Sequence, residues 1–173
     1  EALLTIRQPR RAVLHARNRA RATARADEIT ALGLPCTVVD RAGLPGAVGT
    51  AELIVVCTSA AEPVLAGEWV SDGACVVAIG SHEPDRRELD AALMGRSLVV
   101  VEDVATALRE AGDVILAIAE GTLTEADLHP IRQVVRGEVT RATDRPNVFK
   151  TVGMGWQDLV IAAHNAAVEK VRD

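Results

Sequence analysis

A chain of 173 residues with 49% hydrophobic but only 2% aromatic residues must build its core from Val, Leu, Ile and Ala, the composition of a buried parallel sheet covered by Ala-rich helices. A net charge of −5 and a pI near 5.4 argue against a nucleic-acid partner, which would ask for a basic face. No apolar run approaches the roughly 18 residues of a membrane span, and no signal peptide is visible.

Residues 2–8 read as the end of a helix stopped by Pro9, and "AVLHA" (12–16) as a short buried strand with His15 as a core residue. Residues 18–32 form an Arg-rich helix with Ala20, Ala24, Ile29 and Leu32 as its apolar stripe, ended by Gly33 and Pro35. "CTVVD" (36–40) is the next strand, followed by a loop or short helix of little character. "ELIVVCTS" (52–59), "ACVVAIG" (74–80) and "SLVVVED" (97–103) are strong strand patterns, with 52–57 and 74–79 expected central and buried. Helical patterns cover 86–94, 104–111 and 124–136, and a long final helix covers 154–172. Trp69, in the "GEW" turn, is expected to cap the core. Cys36, Cys57 and Cys75 are odd in number and lack metal-ligand spacing, so they read as buried small hydrophobes in a reducing, cytoplasmic setting.

Strands alternating with helices define an α/β fold with a mainly parallel sheet, in which ligands sit at the carboxyl ends of the strands. Every predicted strand here ends in polar residues: Arg17-Asn18, Asp40-Arg41, Thr58-Ser59, Ser81-His82 and Glu102-Asp103. At the end of the 12–16 strand a dinucleotide fold selects its cofactor. An acid there holds the ribose of NAD, whereas an Arg accommodates the 2′-phosphate of NADP. This position offers Arg17 and Asn18 and no acid. A guanidinium binds phosphate through paired, charge-assisted hydrogen bonds, and Asn18 can both donate to phosphate and cap the following helix. Arg19, Arg21 and Arg25 read as solvated helix surface. No GxGxxG turn occurs, and the chain opens with Glu1 inside what would be the first helix of such a domain.

Three separated stretches, "AELIVVCTSAAEPVLAGEWVSDGACVVAIGSHEPDRRELDAALM", "VEDVATALREAGDVILAIAEG" and "NVFKTVGMGWQDLVIAAHNA", resemble the signature segments of the ornithine cyclodeaminase/mu-crystallin family, in order and with plausible spacing. The resemblance implies a Rossmann-like domain with flanking helices over residues 1–145, missing its first strand and Gly-rich turn. A carboxyl-terminal turn and helix over 146–173 would then return to a substrate and dimerisation domain, much of which the chain lacks. It implies NADP(H), or alternatively NAD(H), as cofactor, a homodimer, and a small imino- or amino-acid substrate. Carried over by motif, Arg17 and Asn18 match the pair that holds the 2′-phosphate. Cys57, Thr58 and Ser59 match the strand end beside the dinucleotide, and Ile79, Gly80 and Ser81 the segment beside the nicotinamide. Lys150, Thr151 and Gly153 match the turn near the nicotinamide end, with Thr151 in place of the usual serine.

The loop "GSHEPDRREL" departs from the cyclodeaminating members, which resemble "GGDCPGKTEL" and place an Asp where alignment on Pro84 puts His82. His82 can supply one proton to an imine as hydride arrives, or it can be a loop histidine bonded locally. Arg86, Arg87 and Glu88 read as helix surface. Glu102 and Asp103 lack a third partner for a metal. Trp156 opens the last helix and either lines substrate or packs. Three functions follow: an NADPH-dependent reductase of a small cyclic imine or imino acid, a cyclodeaminase turning ornithine into proline with NAD, or a non-catalytic NADPH-binding protein.

Overall fold

A computed structural model describes the backbone of residues 2–172 and the side chains of residues 4–165. The chain divides into two compact units, Glu1–Thr50 and Ala51–Asp173.

The first unit runs α1 (Ala2–Ile6), β1 (Ala12–Leu14), α2 (Arg19–Ala31), β2 (Cys36–Val38) and α3 (Leu44–Gly49). β1 and β2 pair in parallel, Ala12 opposite Cys36 and Leu14 opposite Val38, with α2 as the crossover. The strand stops two residues earlier than its pattern predicts, and His15 is exposed rather than in the core, its Nδ1 lying 3.1 Å from Val39 O. The buried face of α2 is Ala22 and Ala26, not Ala20 and Ala24. Alanines four apart on one face let a helix approach a strand closely, and an Ala-rich sequence offers more than one such face. Gly33, at φ +87°, takes the left-handed position just past the helix end.

The second unit is built on β3 (Leu53–Val56), β4 (Cys75–Ala78), β5 (Leu98–Val101), β6 (Leu128–Pro130) and β7 (Asn147–Lys150). All four pairings are parallel, in the order β3-β4-β7-β5-β6. β5 is buried along its whole length, and Val76 and Ala78 of β4 are completely buried, as their apolar runs require. β3 differs from expectation. It is the outermost strand of this sheet, and Leu53 and Val55 are exposed. An unbroken apolar run provides for burial on both faces, but among the described residues only β4 pairs with it.

The helices of this unit are α4 (Ala91–Arg96), α5 (Val104–Glu110), α6 (Gly112–Ala119), α7 (Ile131–Val135) and α8 (Gly155–Arg172). The helix expected over 86–94 begins only at Ala91, where Asp90 caps it by accepting from Leu93 N at 2.7 Å. The helix expected over 124–136 is instead a one-turn cap at Glu125–Asp127, then β6, then α7. Pro130 explains the break: it has no N–H to donate, and its ring pushes His129 into extended geometry. α6 was not anticipated. β7 was not either: it inserts between β4 and β5, so the boundary expected at 145/146 is followed first by a strand of this same sheet. Asn147 secures its start, accepting from Ala142 N at 2.7 Å and donating to Ala142 O at 3.0 Å. Trp69 is half-buried in the short Gly67–Trp69 turn. Cys57 is exposed and Cys36 and Cys75 are half-buried, so they are not the core residues expected of them.

Candidate functional site at the carboxyl edge of the parallel sheet

Because the strands of the second unit are parallel and in register, Val56 lies opposite Ala78, and Ala78 and Val101 both lie opposite Lys150. The segments Cys57–Ser59, Ile79–Ser81, Glu102–Asp103 and Thr151–Gly153 therefore leave the sheet along one edge. This brings together the candidates Cys57, Thr58, Ser59, Ile79, Gly80, Ser81, Thr151 and Gly153. Cys57, Thr58, Ser59, Ile79 and Gly153 are exposed there, whereas Ser81 is buried and donates its Oγ–H to Arg86 O at 2.6 Å. Ile79 N donates to Val56 O at 2.9 Å and Thr151 N to Ala78 O at 3.2 Å, continuing the ladder one residue past the last paired position.

Beneath this edge lies a buried polar network that sequence reasoning missed. Glu88, expected on a helix surface, is completely buried. Its Oε1 accepts from Thr58 N at 2.5 Å and from Thr58 Oγ1 at 2.7 Å, and its Oε2 accepts from Gly80 N at 2.7 Å. Gly80 has to be glycine: a Cβ would lie 2.0 Å from Thr58 O and 2.4 Å from Glu88 Oε1. Glu88 is held there by its own backbone. Its N–H and that of Leu89 donate to Asp113 Oδ1 at 2.7 and 2.8 Å, and its carbonyl accepts from Val64 N at 2.8 Å. Asp113, at the start of α6, faces Lys150 at the end of β7, with Oδ2 and Nζ 3.2 Å apart and both side chains fully buried. The pair is a charge contact rather than an aligned hydrogen bond, since Asp113 Oδ2 has no hydrogen-bond partner. Lys150 Nζ also donates to Ser81 O. Gly112 admits this arrangement, because a Cβ there would meet Arg86 O at 1.9 Å.

Of the other loop residues, His82 is exposed and makes no hydrogen bond or ion pair among the described residues. Glu83 pairs with Arg86 at 2.5 Å, and Arg86 donates to Ser59 O at 3.2 Å. Arg87 pairs with Glu120 at 2.6 Å. Glu102 holds the turn before α8, accepting from Gly153 N at 3.0 Å and from Gln157 Nε2 at 2.6 Å. Gly153 adopts φ +80°, a left-handed conformation that favours glycine. Asp103 caps α5, and the Thr106 backbone N–H donated to it at 2.9 Å holds its carboxyl below the usual carboxylate range. Trp156 is exposed, as are Leu159, Val160 and Ile161 on α8.

In the first unit, Asn18 caps α2 by accepting from Arg21 N at 3.0 Å, which leaves its amide NH2 free to donate. Arg17 is exposed and unpaired among the described residues, and no acid occupies the first turn of this 13-residue helix. The helix start is thus electropositive from its dipole and its arginines together. Among the described residues no three His, Cys, Asp or Glu side chains gather to hold a metal, and no helix is long and apolar enough to cross a membrane.

A parallel sheet whose polar strand ends share one edge, with helices between the strands, defines a Rossmann-like α/β protein. The chain belongs to the ornithine cyclodeaminase/mu-crystallin family, whose sequence profile matches residues 6–171. It is 40% identical over 116 residues to the ketimine reductase mu-crystallin of Rattus norvegicus, covering 67% of this chain and 35% of that protein. It is 37% identical over 139 residues to the Delta(1)-pyrroline-2-carboxylate reductase of Paracoccus denitrificans, covering 79% of this chain and 44% of that protein. Among solved structures, it resembles Thermococcus litoralis Delta(1)-pyrroline-2-carboxylate reductase in complex with NADH and L-proline. The TM-score is 0.88 at 28% identity, covering 98% of this chain and 54% of that one. It also resembles the iminosuccinate reductase of Paracoccus denitrificans in complex with NAD+, with a TM-score of 0.90 at 26% identity, covering 99% of this chain and 52% of that one. The chain therefore spans about half the length, or less, of the relatives it matches.

Proposed function

We propose that the chain is the cofactor-binding portion of an NADPH-dependent reductase of a small cyclic imine or imino acid. The observation that carries the reading is the loop at residues 81–90. Its exposed, unpaired His82 stands at the position that an Asp holds in the motif of the cyclodeaminating members, while Glu83 is ion-paired, Glu88 is buried and the exposed Asp85 lies three residues further on, beyond Pro84. Imine reduction requires a hydride and one proton, and a histidine supplies the proton near neutral pH. Cyclodeamination requires a group that first takes a proton from an amine, steadies an iminium and later serves water, a set of tasks suited to a carboxylate.

The residues fit a phosphorylated dinucleotide. Arg17 and the free amide of Asn18, at an electropositive helix start without an acid, suit a 2′-phosphate and favour NADP(H) over NAD(H). In the second unit, the turns at Cys57–Ser59, Ile79–Ser81 and Thr151–Gly153 are the segments that the family resemblance assigns to a dinucleotide. When bound, the nicotinamide supplies the hydride, and the protein's part is to orient it and to hold the proton at His82. The names of the relatives, ketimine and pyrroline-2-carboxylate reductases, support this choice of substrate class. The exposed apolar face of α8 supports a role for this helix in joining a substrate and dimerisation domain, and we place the whole protein as a cytoplasmic homodimer.

The test uses the whole protein. One reaction contains a five- or six-membered cyclic imino acid with NADPH, the other L-ornithine with NAD. NADPH consumption in the first without ammonia in the second is the expected result. Ammonia and proline in the second with no NADPH consumption in the first would make it a cyclodeaminase. Tight NADPH binding with no turnover in either would make it a non-catalytic binder.

A further inference from the structure

The backbone ladder between β3 and β4 ends at the bond from Ile79 N to Val56 O. One residue further on, the two strand ends are joined through a side chain instead. Thr58 N–H and Gly80 N–H both donate to Glu88, one to each carboxylate oxygen, and the Thr58 hydroxyl adds a third bond. We propose that Glu88 is a positioning residue for dinucleotide binding: its carboxylate fixes the spacing of the Thr58 and Gly80 turns. This rests on the cofactor-binding reading of that edge.

Three features carry the inference. First, the three contacts are all donors, so the site is complementary to an acceptor-only carboxylate. A glutamine of the same size would turn an NH2 group toward either Thr58 N–H or Gly80 N–H, leaving one buried donor facing another. Second, the contact is built into the backbone, because Gly80 leaves no room for a Cβ beside Glu88 Oε1 and Thr58 O. Third, Glu88 is anchored independently of its side chain, through Asp113 Oδ1 and Val64 N. A change in the carboxylate therefore acts on the two turns rather than on the path of the loop. Groups that orient a ligand through backbone amides must be held to about 0.5 Å, and a buried bidentate bridge does that.

The experiment measures dissociation constants of NADPH and NADP+ by titration calorimetry on the whole protein, where the binding stoichiometry reports the competent fraction. Glu88→Gln is expected to raise both constants about tenfold or more in the competent fraction, the consequence of losing a hydrogen bond to a charged group. Thr58→Val is expected to bind more weakly, and its effect is expected to be less than additive with Glu88→Gln. Hydrogen exchange of the unaltered protein provides a check that needs no variant: the Thr58 and Gly80 amides should exchange slowly although Thr58 lies at the exposed edge. Unchanged dissociation constants in Glu88→Gln, with only a lower melting temperature, would overturn the positioning role, as would fast exchange at both amides. Failure of the unaltered protein to bind either dinucleotide would instead refute the cofactor reading itself.

Discussion

Lys150→Met tests whether the edge stands on its buried charges. Lys150 and Asp113 lie 3.2 Å apart, both fully buried. At an effective dielectric of about 20 their attraction is about 5 kcal/mol, most of which offsets the cost of taking both charges out of water. Removing the lysine alone leaves that cost on Asp113 with nothing to balance it. Asp113 Oδ2 has no hydrogen-bond partner, while Oδ1 goes on accepting from Glu88 N and Leu89 N. The expected loss is about 3–5 kcal/mol, the range for breaking a buried pair from one side. For a chain of this size that lowers Tm by about 6–20 °C. The double variant Lys150→Met/Asp113→Asn removes both charges and keeps an amide oxygen for the two backbone donors. It should recover at least about 1.5 kcal/mol relative to Lys150→Met, short of full recovery because Ser81 O loses its donor. Equilibrium urea denaturation followed by circular dichroism and by the fluorescence of half-buried Trp69 reads both numbers. A loss below about 1 kcal/mol for Lys150→Met, or a double variant less stable than the single, would refute the reasoning.

Arg17→Ala should weaken NADPH binding by about 1.5–3 kcal/mol, as for a charge-assisted hydrogen bond, and leave NADH nearly unchanged. Equal losses for the two cofactors in a fluorescence titration would remove Arg17 from the phosphate site. Asp103 carries the pH prediction. Its carboxyl is held below the ordinary value by the Thr106 N–H, so its cap contributes fully above the unfolded value of about 4 and is lost as pH falls through the lower folded value. Asp103→Asn should therefore flatten the acid limb of a Tm–pH profile below about pH 4, and a limb of unchanged slope would contradict that sign.

The family resemblance and the parallel α/β class were legible because they rest on local, repeated signals. β4 and β5 are unbroken apolar runs with polar ends, and the order of strands and helices dictates which loops share an edge. The same logic pointed to Thr58 and Ser81 as strand-end residues, whereas Gly80 and Thr151 were named only through the family resemblance. β7 was not legible, since four residues with an asparagine at one end and a lysine at the other carry no clear period. Its apolar centre, Val148 and Phe149, is too short to be told from a loop.

Sequence by itself determined the elements whose residues answer to their immediate neighbours: the capping of α2 by Asn18 and the positively charged helix start without an acid. Only the tertiary structure decided which charged residues are interior. Glu88 is thirty positions from Thr58, as the bond between them records, and Asp113 and Lys150 come from an α6 and a β7 that no periodicity announced. Read in a row with Arg86 and Arg87, a glutamate is a surface residue by every local measure. It is interior here because two strand ends present backbone N–H groups to the same point, and those donors exist only once β3 and β4 have paired.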